Sequence, residues 1–235
     1  MIGRRLALSV PAALRLAVAV AILGLAGAAD AAKKQPPLVP DWKQSHFEEA
    51  NPAVRSVYIL AVCTRIHRRQ AAEALLATVP GSAEEASRLA AAVPSGWTEC
   101  PIRSTRLTIH SKVLMRGAIA EAIYNGEGTK PRSAAALPLA ETFQPTDRGS
   151  APAVARWVAR CAVRRTPRLA HAVVKYNPGA VGERHALLAL KPTFTACLPP
   201  GERLRVSRLE FRALIAEELY RASVSLKESF AHAKS

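Results

Sequence analysis

Arg116-Gly117-Ala118-Ile119-Ala120-Glu121-Ala122-Ile123-Tyr124 and Arg212-Ala213-Leu214-Ile215-Ala216-Glu217-Glu218-Leu219-Tyr220 are two versions of one phrase. Arg, Ile, Ala, Glu and Tyr keep their places in both, and an aliphatic residue precedes each Tyr. Self-similarity of this kind marks an internal duplication, and the residue types read as the end of one helix used twice. Arg, Ala and Tyr recur every four residues and so share a helix face, whereas Glu points elsewhere. The expectation is Ile, Tyr124 and Tyr220 in the core, with Arg116, Glu121, Arg212 and Glu217 at its rim. A paired Arg and Glu acting on a ligand is the sharper alternative.

Outward from the phrase the two copies stay in step. Pro152-Ala153-Val154 matches Pro52-Ala53-Val54, each a first-turn proline opening a helix. Val54, Val57, Tyr58, Ala61, Val62 and Ile66 give the first of these helices one apolar face, as Trp157, Val158, Cys161 and Ala162 do in the second. Pro80-Gly81 lies as far past Cys63 as Pro178-Gly179 lies past Cys161, and Pro94 and Pro192 match equally well. Thr166-Pro167 fits an N-cap and a first-turn proline. The helix it starts buries Leu169, Ala170, Val173 and Val174, and its partner buries Ala71, Ala74, Leu75 and Leu76.

The next helix opens on Ser82 and Glu85, a capping box in which each side chain satisfies the other's free backbone donor. Glu183 repeats Glu85, but Ala180 stands in place of Ser82, so the second copy's helix is expected to fray or shift at its start. Both helices are expected to end before Pro94 and Pro192. Trp97-Thr98-Glu99-Cys100 and Phe194-Thr195-Ala196-Cys197 follow, then loops that close at Arg106-Leu107 and Arg203-Leu204. The last helix of each unit runs to Tyr124 and to about Lys227. The fold class is therefore all-α, a tandem duplication of two units of three to four helices each.

Composition agrees with this reading. The chain has 235 residues, of which 49% are hydrophobic and only 5% aromatic, and Ala, Leu and Arg favour helices. Arg4, Arg5 and Arg15 precede an uncharged run from Leu16 to Ala29, and Ala29-Asp30-Ala31 has the small residues of a signal-peptidase site. Residues 1–31 thus read as a secretory signal peptide, with the run too short for a retained spanning helix. General secretion fits the segment better than twin-arginine export. Residues 32–52, rich in proline and carrying Trp42 and Phe47, form an extended arm. The helical units occupy 53–124 and 152–227, joined by a linker over 125–151 with Asn-Gly-Glu-Gly and two further proline turns. Residues 228–235 read as a fraying tail.

Four cysteines in an exported chain imply two disulfides, for which there are three connectivities. Closing each unit on itself pairs Cys63 with Cys100 and Cys161 with Cys197 across loops of nearly equal length. Crossed pairing of Cys63 with Cys197 and Cys100 with Cys161 also respects the duplication and stays open. No Cys-x-x-Cys or matching His pair argues for zinc, and no metal ligand set is read.

The formal charge of +15 points to anionic partners. Arg65, Arg68 and Arg69 follow Cys63, and Arg164, Arg165 and Arg168 follow Cys161, both near a helix junction. Together they suggest a positive surface for phosphate, lipid A or another envelope polyanion. Nucleic acid is the poorer fit, since no reading motif or interleaved aromatic stripe accompanies the arginines. Catalytic motifs and cofactor fingerprints are not found, and His46, His67, His110, His171, His185 and His232 have no His at the duplicated position. No catalytic residue and no cofactor is assigned. The functional expectation is a periplasmic or secreted binding or envelope-structural protein, the alternative an enzyme of unrecognised type with a site between the copies.

The early Cys with its basic cluster, the later Cys and the Arg-x-x-Ile-Ala-Glu-x-x-Tyr helix end, each present twice, give the chain a resemblance to a group of exported proteins of sphingomonad-type α-proteobacteria. The likeness spans about Ala53 to Arg221. Members of that group often start a helix with Asp-Pro after the basic cluster, where this chain has Arg69-Gln70 and Thr166-Pro167. The resemblance implies the doubled helical architecture and export, and no particular activity.

Overall fold

The computed structural model describes residues 52–94, 100, 111–128 and 151–232, with side chains described through residue 225. The signal-peptide and arm readings therefore lie outside the described residues, apart from Pro52. So do the loop readings at Trp97-Thr98-Glu99 and Arg106-Leu107 and most of the linker. Among the described residues the chain is all-helical, with eight helices and no strand. They are α1 (Pro52–His67), α2 (Arg69–Ala77), α3 (Ala83–Ala92), α4 (Lys112–Gly126), α5 (Ala151–Arg165), α6 (Pro167–Lys175), α7 (Val181–Cys197) and α8 (Arg208–His232).

The α5/α6 break follows from Pro167, whose ring disfavours helical backbone at the preceding residue; Thr166 takes φ −138°, ψ 62°. Arg68 breaks α1 from α2 with nearly the same backbone, φ −138°, ψ 41°, without a proline to force it. Thr166 occupies the N-cap position but makes no cap bond. Its hydroxyl instead donates back to the Ala162 carbonyl at 3.1 Å.

Helices α4 and α8 form the largest helix–helix contact, with α1 laid on α4 and α5 on α8. The short helices complete each half: α2 contacts α3 and α4, and α6 contacts α7 and α8. One apolar cluster is built on Tyr58, Leu75, Met115, Ile119 and Ile123, and a second on Val158, Val173, Leu190, Phe211 and Ile215. Tyr124 of α4 belongs to the second cluster, and Tyr220 of α8 packs against both. The halves thus exchange side chains across their boundary.

The approach of α4 to α8 is closest at Gly117, where a methyl group would overlap the Cβ and Cα of Ala213 and sit 2.5 Å from its carbonyl oxygen. These two residues hold the same place in the two phrases. Disulfides join Cys63 to Cys100 and Cys161 to Cys197, with Cα atoms 5.9 and 5.8 Å apart, so each half carries its own bridge.

Several local expectations are corrected. Helix α7 passes through Pro192 to Cys197, where Phe194 packs edge-on against Phe211 with ring centroids 4.7 Å apart. That contact with α8 offsets the hydrogen bond a mid-helix proline removes. The α7 start does not shift, because α7 begins one residue after Ala180 as α3 begins one residue after Ser82. The reason lies in Glu85 and Glu183, which accept from the backbone N–H of Gly81 at 2.8 Å and of Gly179 at 2.7 Å. The carboxylate bond survives loss of the hydroxyl. Both glycines have positive φ, +86° and +91°, which fixes their place after proline in the turn.

Ile66 is 60% exposed at the end of α1, and Leu169 is 36% exposed in α6, so neither joins the core face assigned to it. In α2 the buried small residue is Ala72, with Ala71 and Ala74 only partly covered. Helix α4 continues past Tyr124 to Gly126, into the expected linker, and α8 continues to His232, into the expected tail.

Candidate functional site

The rim reading of the repeated phrase is overturned. Arg116 is 1% exposed, Arg212 0%, Glu217 3% and Glu121 6%. Helix α4 is buried from Met115 to Tyr124 without a break, since it has α1, α2 and α8 around it and no face left for solvent. Arg and Glu, five residues apart, therefore both point into protein.

Each buried arginine performs two tasks. The first is to close a neighbouring helix of its own half. Arg116 Nη1 donates to the Leu75 carbonyl at 2.8 Å and the Thr78 hydroxyl at 2.9 Å, and Nη2 donates to the carbonyls of Leu76 and Thr78 at 2.8 and 2.9 Å. They lie at the C-terminal turn of α2, where a helix leaves carbonyls short of helical donors, and the Leu75 carbonyl also accepts the Thr78 N–H at 3.1 Å and hydroxyl at 2.7 Å. Arg212 does the same for α6, donating to the carbonyls of Val173 at 2.6 Å and Tyr176 at 2.7 Å. A guanidinium supplies five donors in a fixed fork and a positive charge that suits the negative end of a helix.

The second task crosses between the halves. Arg116 Nε donates to Glu217 at 2.9 Å, and Arg212 donates to both oxygens of Glu121 at 2.9 and 2.6 Å. The first-turn carboxylates complete the network, Glu85 at 3.4 Å from Arg116 and Glu183 at 3.3 Å from Arg212. Tyr58 accepts from Arg212 Nε at 3.1 Å. Burial, with the Glu121 charge beside it, holds the Tyr58 hydroxyl far above the ordinary tyrosine range. For Arg212, burial works against the charge, but Glu121 and its hydrogen bonds outweigh that and leave the guanidinium raised.

A further crossing contact joins the Tyr124 hydroxyl to His171 Nδ1 at 3.1 Å, and Asn125 donates to the Val174 carbonyl at 3.1 Å. Burial pushes Tyr124 up to about 12. Burial and then Lys175 lower His171.

Among the six arginines suggested for anion binding, several are already engaged. Arg69 pairs with Glu73 at 2.8 Å and with Glu127. Arg68 donates to the Ala91 carbonyl and Arg165 to the Ala196 carbonyl, both at 3.3 Å, near the ends of α3 and α7. The Arg65 side chain lies against Gly126, where a Cβ would overlap its guanidinium, and its Nε is buried without a hydrogen-bond partner among the described residues. Arg164 is partly buried and Arg168 exposed.

Thr78, Tyr58, Glu85 and Glu183 belong to the buried network although they were not read as site residues. The usable signal was present: the two glutamates stand at the same distance past the cysteine of each half. Among the described residues no group of three or more His, Cys, Asp or Glu side chains is arranged to hold a metal ion, and no helix is long and apolar enough to cross a membrane. No protein-family model, curated protein or solved structure matches the chain.

Proposed function

We propose that the chain is a tandem duplication, exported to the periplasm or beyond, that works as a non-enzymatic binding or structural protein of the cell envelope. Its partner is an anionic envelope component, and Arg65, Arg68, Arg69, Arg164, Arg165 and Arg168 are its contacts. The observation that carries this reading is the use to which the central charges are put. Arg116 and Arg212 direct their donors at backbone carbonyls and carboxylates of the protein itself, so the conspicuous polar centre serves the scaffold. Charge for a partner must come from outside it. The basic clusters at the α1/α2 and α5/α6 junctions include exposed Arg68, Arg69, Arg165 and Arg168 on a chain of net charge +15.

Two disulfides are compatible with an oxidising compartment outside the cytoplasm. The reciprocal pairing of Arg116 with Glu217 and Arg212 with Glu121 supports the duplication, since equivalent positions of the phrase meet each other's partners. Surface plasmon resonance on lipid A and heparin surfaces across a salt series tests the function. Binding that weakens with salt and is lost when the six arginines are reversed to Glu is expected; binding indifferent to that reversal refutes the assignment.

A further inference from the structure

The two crossed ion pairs are not equivalent in their surroundings. Five residues before Cys63 stands Tyr58, which is 2% exposed and seals the Arg212–Glu121 pair with a neutral phenol. Five residues before Cys161 stands Arg156, a half-buried guanidinium on the face of α5 that also carries Arg160. Among the described residues Arg156 has no hydrogen-bond or ion-pair partner.

The carboxylates around it are already taken. Glu217 Oε1 accepts from Arg116 Nε at 2.9 Å and from Arg221 Nη2 at 2.7 Å. Glu218 Oε2 accepts from Arg160 Nε at 3.2 Å. Arg116 therefore draws on Glu85 and Glu217, Arg221 on Glu217 and Arg160 on Glu218, while Arg156, one turn from Arg160 on α5, pairs with none of them. Arg156 is thus a partly buried guanidinium without a paired carboxylate among the described residues, where desolvation disfavours its charge. Burial indeed lowers the Arg156 pKa, with Glu217 opposing and Arg221 reinforcing the fall. A second group in the same cluster lacks a partner: Glu218 Oε1 is buried and accepts no hydrogen bond.

We propose that Arg156 and Arg221 on α5 and α8 form a binding site for a protonated oxyanion of the phosphate class, with Glu218 accepting its hydroxyl. A phosphate group presents paired oxygens to the Arg156 fork, as guanidinium recognition of oxyanions requires. Its remaining hydroxyl supplies the donor that Glu218 Oε1 lacks. Sulfate, fully ionised at neutral pH, has oxygens for the arginine but no proton for the carboxylate, so the site discriminates between them. This site does not rest on the junction arginines, which it does not include.

The test uses the full chain with both disulfides formed. Thermal unfolding is followed with inorganic phosphate, sulfate and chloride at matched ionic strength, and binding to vesicles of phosphatidic acid in phosphatidylcholine, whose phosphomonoester headgroup keeps an ionisable hydroxyl, is followed by co-sedimentation. Phosphate is expected to raise the melting temperature above both other anions, with affinity about tenfold or more weaker in Arg156→Gln and intermediate in Arg156→Lys. Circular dichroism and intact mass confirm that both variants fold and stay bridged. A response to inorganic phosphate identifies a free ligand, and one confined to vesicles identifies a lipid headgroup; loss of either in Arg156→Gln supports the site. Equal stabilisation by sulfate, no response to either phosphate source, or a response unchanged in Arg156→Gln overturns it. Reversal of the six junction arginines should leave this response in place, which separates failure here from failure of the surface proposed above.

Discussion

Arg212 shows what one side chain does when it cannot reach water. Its guanidinium closes α6, pairs with Glu121 and contacts Tyr58, with none of its side chain exposed. Arg212→Ala leaves a carboxylate and several carbonyls buried without partners, and is expected to cost about 3–5 kcal/mol in urea unfolding. Arg212→Lys should recover little of this, because an ammonium cannot replace a planar five-donor fork. Tyr124 gives a pH signature. Unfolded tyrosine loses its proton near pH ~10, whereas burial holds Tyr124 up to about 12. Between those values the folded state binds more protons than the unfolded one, so this part of the stability is complete below the lower value and lost as pH rises through the upper. Unfolding free energy should fall over that alkaline window, less steeply in Tyr124→Phe. The phrase itself was legible in the sequence but its burial was not. Arg and Glu on a helix usually face solvent, and only the packing of α4 and α8 against each other shows that these do not.

At the scale of the helices, the account turns on how closely α4 and α8 approach. Gly117→Ala places a methyl group into Ala213, and the expected loss is about 1–3 kcal/mol by chemical denaturation. Adding Ala213→Gly should not rescue it, since the overlap includes the Cα and carbonyl oxygen of residue 213 as well as its Cβ. Full rescue by the double variant would show that the helices can slide. Helix existence was readable from periodicity, prolines and Pro-Gly turns, and the α5/α6 break from Pro167. Helix length was not. Continuation of α7 through Pro192 depends on Phe194 meeting Phe211, a contact between residues far apart in the chain. Likewise the firm start of α7 depends on Glu183 reaching Gly179, which an argument built on the missing Ser hydroxyl overlooks.

For the molecule from α1 to α8, disulfides and crossed ion pairs act at different boundaries. Each bridge closes a loop within one half, 37 and 36 residues long in sequence separation. Removing Cys161 and Cys197 together as Ser should destabilise by about 4 kcal/mol in the loop-entropy account, measured by denaturant unfolding. The halves, by contrast, are joined without covalent help from sulfur, through Arg116–Glu217, Arg212–Glu121 and Tyr124–His171. The repeated phrase was legible in the sequence; that the Arg of one half meets the Glu of the other lay beyond it, because spacing reports what recurs and not which Glu a given Arg meets. The measurement that bears most directly on this is native-state hydrogen exchange on Arg116→Ala. Loss of protection is predicted in α6 and α8 as well as in α1, α2 and α4, since the arginine binds both halves into one cooperative unit. Protection lost only between residues 52 and 126, with the second half unchanged, would contradict the account.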